Sequence, residues 1–185
     1  MKLQSVGRIV KVWLKNEEAA TAVEFSLIAF PFTYLLMGII ELSLMFAAMS
    51  TLDYATNSAA RLIRTGQVQQ STGDPEQVFK DALCAYSSAM LDCTRFQYEV
   101  IKLDSFSDFS SYPPSFDDEG NLMSSGFDPG QVDDVVLIRT AYKYPLLTPL
   151  LASAFSDTSN NNKLMMSTTV LETEPYDVNQ VVDEL

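Results

Sequence analysis

A chain of 185 residues with 24 acidic and 12 basic side chains has room for one membrane anchor and one modest domain, not for two full domains. Four residues of each sign lie before Ser50, leaving 20 acidic against 8 basic beyond it, an excess that repels phosphate and argues against nucleic acid as a partner. Histidine is absent, which removes the commonest general base and the commonest zinc ligand; no enzyme activity, metal or cofactor is expected.

The chain opens on MKLQSVGRIVKVWLK, a short basic amphipathic segment with Leu3, Val6, Ile9, Val10 and Trp13 near one face, suited to lying on an anionic inner leaflet. From Phe25 to Leu52 the only charge is Glu41, and about 20 apolar residues suffice to cross the hydrocarbon. The run is too long for an ordinary cleaved signal peptide. Lys2, Arg8, Lys11 and Lys15 precede it and Asp53 follows, so the positive-inside rule keeps the N-terminus cytoplasmic and the rest outside. Leu52, Ala55, Ala59 and Leu62 extend an apolar stripe at spacings of three and four, which predicts a helix over 20–65, roughly 70 Å long. Its outer third must therefore pack on a soluble domain or on neighbouring subunits. Gly66 is the expected C-cap, and Pro31 removes one backbone bond inside the span.

Beyond Gly66, Asp74, Pro75 and Gln77 form a helix start, and Val78, Ala82, Leu83 and Tyr86 give that helix its inward face. In CTRFQYEVIKL, Phe96, Tyr98 and Val100 alternate with Arg95, Gln97 and Glu99, as in a half-buried strand. Residues 104–130 are rich in Ser, Asp, Pro and Gly and read as an exposed excursion, long for a connection in a compact domain. Its DDEGN offers oxygen ligands but lacks the EF-hand spacing, so a solvated acidic loop is the expectation rather than a calcium site. A second strand follows with Val136, Ile138, Thr140, Tyr142 and Tyr144 on one face, and Asp133 and Asp134 on opposite faces. Thr148 and Pro149 begin a short helix; LMMSTTVLETE forms a third strand ended by Pro175; DVNQVVDEL reads as an acidic tail.

Cys84 and Cys93 are the only cysteines, eight residues apart in between, which excludes a CxxC redox motif. Outside the cytoplasm a disulfide is the natural state, with free thiols the alternative.

Val23-Glu24-Phe25 after a run of small residues, Pro31, Gly38-Ile39-Ile40-Glu41 and Ala59-Ala60-Arg61 together resemble the N-terminal segment of TadE/TadG-like pseudopilins of the tight-adherence (Flp pilus) machinery. The closing ETEPYD resembles the Glu-Pro ending of many members. The resemblance covers about 50 residues strongly and the last strand weakly, and does not extend to residues 67–163. It implies a leader cut on the cytoplasmic side just before the apolar run, with glutamate as the fifth mature residue. Glu24 in that place sets the cut between Ala19 and Ala20. The family's usual residue before the cut is glycine, so Ala19 departs from the pattern; Gly7 cannot replace it, since the fifth residue beyond it is Val12.

Two readings of Glu24 stay open: pairing with the new α-amino group of a neighbouring subunit, which neutralises two charges costly in lipid, or solvation at headgroup depth. Phe25 opens the apolar packing run beside it. Glu41, roughly 25 Å further along the helix, either meets a cation on another subunit or snorkels to water.

The expected fold is α+β: a transmembrane helix continuing into a small periplasmic domain with a three-stranded antiparallel sheet and one or two helices. The division is a leader at 1–19, the helix at 20–65, the domain at 66–176 and a tail at 177–185. The resemblance implies a minor pseudopilin in assembly of a Tad/Flp-type pilus or secretion fibre. It also implies a single-pass protein of a bacterial inner membrane that enters an extracellular pilus. Its partners would be a prepilin peptidase, the inner-membrane assembly platform, the major pilin and other pseudopilins, and membrane lipid. The alternative is a signal-anchored periplasmic binding or adhesion protein outside any fibre, using 104–130 as its recognition surface.

Overall fold

The computed structural model describes residues 17–87, 89–158 and 160–176, which leaves the basic segment 1–15 and the acidic tail 177–185 outside the described residues. The first helix, α1 (Glu17–Arg64), contains Pro31 and ends on Arg61 and Arg64, whose charges complement the C-terminal end of the helix dipole. The chain divides into two compact units between Leu42 and Ser43.

In the first unit the described side chains of residues 21–40 are mostly apolar and nearly all exposed, as for Phe25, Leu27, Ile28, Phe30, Leu35 and Ile39. The stretch from Thr21 is long and apolar enough to cross a membrane.

In the second unit α1 turns amphipathic. Ala48, Leu52, Ala55, Thr56, Ala59 and Ile63 are buried at spacings of three and four, as the sequence stripe requires. The helix stops in a Schellman arrangement. Gly66 N–H donates to Ile63 O (3.0 Å) and Gln67 N–H to Leu62 O (2.9 Å), with Gly66 at φ 75°, where a Cβ would be strained and would also collide with the Tyr176 ring.

The second helix, α2 (Pro75–Ser87), starts as expected: Asp74 Oδ1 accepts from Glu76 N–H (3.2 Å). Gln77 does not close a capping box; its amide reaches forward to Asp81 (2.7 Å). The inward face is shifted from the expected one. Phe79, Leu83 and Ser87 are buried, Val78 and Ala82 are half-buried, and Tyr86 is exposed, edge-on to Tyr54. Cys84 is disulfide-bonded to Cys93, the Cα atoms 5.3 Å apart, joining α2 to the 3-10 turn Cys93–Arg95 that leads into the sheet.

Three antiparallel strands follow in the order β1-β2-β3: β1 (Phe96–Leu103), β2 (Val135–Pro145) and β3 (Asn162–Glu172). The helix α3 (Pro149–Phe155) lies between β2 and β3; Thr148 holds its N-cap position through its carbonyl, which accepts from Ala152 N–H (2.9 Å). Register places Val100 opposite Ile138 and Glu99 opposite Arg139. One face of the sheet carries Val100, Val136, Ile138 and Leu171, which close an apolar core with Ala55, Ala59, Ala60 and Ile63 of α1 and Phe79 and Leu83 of α2; a smaller apolar cluster of Leu103, Val135 and Leu137 lies on the other face. Phe79, Tyr98 and Phe127 meet edge-on or tilted, with centroids 5.6 to 6.5 Å apart.

The other face differs from the sequence expectation. Glu99 is not a solvated partner in an alternating strand; it is 2 % exposed and paired with Arg139, equally buried, at 2.6 Å. Nor is the 104–130 segment free of the fold, although most of its side chains meet water. It returns across the sheet: Ser125 N–H donates to Glu99 Oε2 (3.1 Å), Arg139 donates to Tyr112 O, and the Phe109 ring lies 5.9 Å from the guanidinium. Gln97 accepts from Leu122 N–H (2.7 Å) and donates to Asn121 (2.9 Å). Gly126 and Asp128 bond to Val100, which protects the free edge of β1. Asp133 and Asp134 precede β2 instead of alternating within it. Asp133 sits in a turn at φ 61°, and Asp134 accepts from Lys102 (2.9 Å) and Gln131 N–H (2.7 Å).

Candidate functional site

No cluster of catalytic side chains emerges among the described residues, so the positions of interest are those along α1 and the surface that receives it. Ala19 and Ala20 lie in the helical backbone of α1. Glu24 is exposed one turn further on, between exposed Val23 and Phe25, with Ser26 Oγ donating back to Val23 O (2.9 Å). A continuous apolar surface thus begins directly after a solvent-accessible carboxylate.

Glu41 is in a different state from Glu24. It is 5 % exposed, so of its two sequence readings the one that placed the carboxylate in water does not describe this structure. Gly38, one turn earlier, has open space where a Cβ would stand. Nothing around it in this chain requires glycine, although glycine costs a helix interior about 1 kcal/mol relative to alanine.

Ala59-Ala60-Arg61 acquires a physical role in the second unit. Ala59 and Ala60 are buried in the helix–sheet core, where their small size lets α1 approach the strands, while Arg61 is exposed. Asn57 receives Thr169 Oγ1 (3.0 Å), and at the end of the helix Glu174 N–H donates to Arg64 O (2.7 Å) while its carboxylate meets Arg64 Nε (3.3 Å). Glu174 belongs to the Glu-Pro ending, which therefore lies against the C-terminal end of α1.

Sequence reasoning missed the Glu99–Arg139 pair. Its signal was opposite charges centred in two strands whose remaining residues are largely apolar, readable only once register is known. In the excursion, Asp117 uses both carboxylate oxygens within its own turn, accepting from Asn121 N–H (2.6 Å), Asn121 Nδ2 (2.7 Å) and Glu119 N–H (3.0 Å). The Asn121 side chain and backbone bonds hold its carboxyl below the usual carboxylate range. Tyr98, half-buried and donating to Glu76 (3.0 Å), has its phenol pushed up to about 12, first by burial and then by that carboxylate.

A long helix, half of it an exposed apolar rod and half the spine of a small α+β domain, defines a protein with one candidate membrane span and no visible reaction centre among the described residues. Residues 19–61 match the family model described as TadE-like protein, so the chain carries a TadE-like domain, consistent with a TadE-like protein of the Tad pilus system. Comparison with curated proteins and with solved structures returned no match. The match supports involvement with a Tad pilus system, and the family is a pilus component.

Proposed function

We propose that this chain is a minor pseudopilin that takes part in assembly of a Tad/Flp-type pilus or secretion fibre. α1 anchors it as a single-pass inner-membrane protein, with the N-terminus cytoplasmic and the α+β domain periplasmic. The division at 1–19, 20–65, 66–176 and 177–185 goes with this reading. The observation that carries it is the exposed apolar rod that starts beside an accessible Glu24 within a TadE-like match.

In the assembled state Glu24 accepts the α-amino group exposed by cleavage between Ala19 and Ala20 on a neighbouring chain, and Phe25 packs alongside. Pairing two charges removes most of the cost of placing each in lipid and fixes axial register between helices. The partners are a prepilin peptidase, the assembly platform and other pilins or pseudopilins.

N-terminal sequencing of the protein from cells with and without the prepilin peptidase tests this. A mature start at Ala20 only when the peptidase is present is expected. A start at Met1 in both strains would leave a signal-anchored assembly factor, and a start near Ser50 would end the fibre account. Crosslinking through residues 28 and 42 separates a fibre subunit, which contacts sister helices there, from a plain anchor.

A further inference from the structure

The sheet has two edges, and they are treated differently. Along β1 the outward backbone groups of Val100 are taken by Gly126 and Asp128. Along β3 the direction of each backbone group follows from register. Thr173 N–H donates to Asp134 O (2.9 Å) just past the strand, and pairing with β2 then runs without a bulge from Glu172 back to Asn162. Bonded and unbonded pairs alternate in an antiparallel ladder, so Leu171, Thr169, Ser167 and Met165 point their N–H and C=O groups at β2, while Val170, Thr168 and Met166 point theirs away. Nearer the start of the strand, Leu164 N–H is taken by the Asp157 carboxylate (2.9 Å). Among the described residues nothing bonds the outward groups of Met166, Thr168 and Val170.

No other element of the second unit hides this edge. β3 runs alongside the second-unit part of α1: Met45, Phe46 and Met49 line an apolar hollow of about 210 Å³ with Leu164, Met165 and Met166, Thr169 meets Asn57 (3.0 Å), and Glu174 meets Arg64 beyond the strand's end. The other flank of α1 is taken by α2, where Tyr86 meets Tyr54 and Met90 meets Thr51 just beyond it. On the β3 flank Phe46, Ser50 and Asn57 are exposed. The sequence adds no guard either. From Leu164 to Leu171 it carries neither a charge nor a proline, in a chain with 24 acidic and 12 basic residues.

Unbonded N–H and C=O groups that recur at every second residue are complementary to one kind of partner, another extended backbone. Side chains along the edge define that partner further. Met166 and Val170 are half-buried, Val170 against the cluster of Leu103, Val135 and Leu137, and they favour an uncharged strand. The hollow beside Met166 has room for a large apolar side chain. At the far end the exposed Glu172 favours a basic residue. A second copy of β3 does not supply one, because its single cation, Lys163, stands on the opposite face from Glu172 and is held by Asp157 (3.0 Å).

We infer that the outer edge of β3 receives, as a fourth strand, an extended segment of another protein that is uncharged along Met166 to Val170, places a large apolar residue over the hollow and a basic one beside Glu172. This pairing does not depend on whether the chain enters a fibre.

The test places a benzophenone-bearing amino acid at Met166, Thr168 or Val170 of the full chain in the cells that make it, and maps the adducts formed on illumination by mass spectrometry. Adducts to one partner protein are expected, with the point of attachment moving two residues along that partner at each step from 166 to 168 to 170, as strand pairing demands. Thr168→Pro removes an outward N–H that β2 does not use, so adducts from the probe at 170 should be lost while the urea midpoint of the full chain in detergent is unchanged. Should that variant unfold, Met166→Pro with the probe at 170 replaces it. Absence of adducts from all three positions, attachment points that do not step in register, adducts that survive in a folded proline variant, or adducts that join two copies of β3 each overturn the inference.

Discussion

The two faces of the sheet are covered by opposite means. Toward α1 and α2 the cover is apolar: side chains from these two helices close on Val100, Val136, Ile138 and Leu171. On the reverse face a second apolar cluster of Leu103, Val135 and Leu137 adjoins a buried ion pair, and the irregular segment over that pair has its backbone groups satisfied by Glu99, Arg139 and Gln97. Regular elements can cover a sheet by burying apolar area alone, because their own backbone bonds are already made. An irregular segment cannot. It needs polar partners on the sheet, and a buried carboxylate with a guanidinium supplies both acceptors and donors.

The sharpest way to break this contrast is Arg139→Ala, which leaves Glu99 buried without its counter-ion. A loss of about 3–5 kcal/mol is expected in urea unfolding of the full chain in detergent. Replacing both members by apolar residues of similar volume should recover most of it. If the single change costs under about 1 kcal/mol, as for an exposed pair, the reverse face is not held by charge.

Next in size, replacing Cys84 and Cys93 together by alanine should cost about 2–3 kcal/mol for a loop of about 10 residues in the chain-entropy model. Mass spectrometry of the unreduced protein must first show no free thiol. On the face toward α1, Ala59→Leu should cost about 1–3 kcal/mol through overpacking between α1 and the sheet. The same change at exposed Ser50 should fall within about 0.5 kcal/mol. Equal effects at the two positions would mean that α1 is not seated on the strands.

The smallest effect concerns acid. Lys102 holds the Asp134 carboxyl below its ordinary 3.8, with the Gln131 N–H adding to it. A depressed folded value means that the stabilisation is complete above 3.8 and is lost as pH falls through the lower folded value. Asp134→Asn should therefore flatten the acid limb of a stability–pH curve while leaving the neutral region of that curve level.

The face toward α1 and α2 was legible in the sequence because it obeys periodicity. The stripe Leu52, Ala55, Ala59 announced the helix surface, Val136 and Ile138 the strand surface, and Gly66 the stop between them. The reverse face was not legible, because Glu99 in an alternating strand looks like any solvated carboxylate. What buries it lies 10 to 26 residues downstream in a segment with no period at all, between Phe109 and Ser125. The shift of the α2 face from Tyr86 to Phe79 has a related cause: the Phe79 ring finds Tyr98 and Phe127, and Phe127 comes from the same unpatterned segment. Along α1, residue types and spacing named Glu24 and Glu41 alike, and only coordinates distinguish the exposed one from the buried one.

The course of β3 beside α1 has a mechanical consequence. A pull along the helix axis reaches the sheet through the Met45–Met49 hollow, the Asn57–Thr169 bond and the Arg64–Glu174 contacts. These lie in series along the helix but are loaded in parallel, so the force acts as shear on all of them at once. A sideways pull on the end of the chain instead peels Glu174 from Arg64 first and then the rest one after another. The domain is built to travel with its helix when drawn lengthwise, and to be stripped from it only from the outer tip.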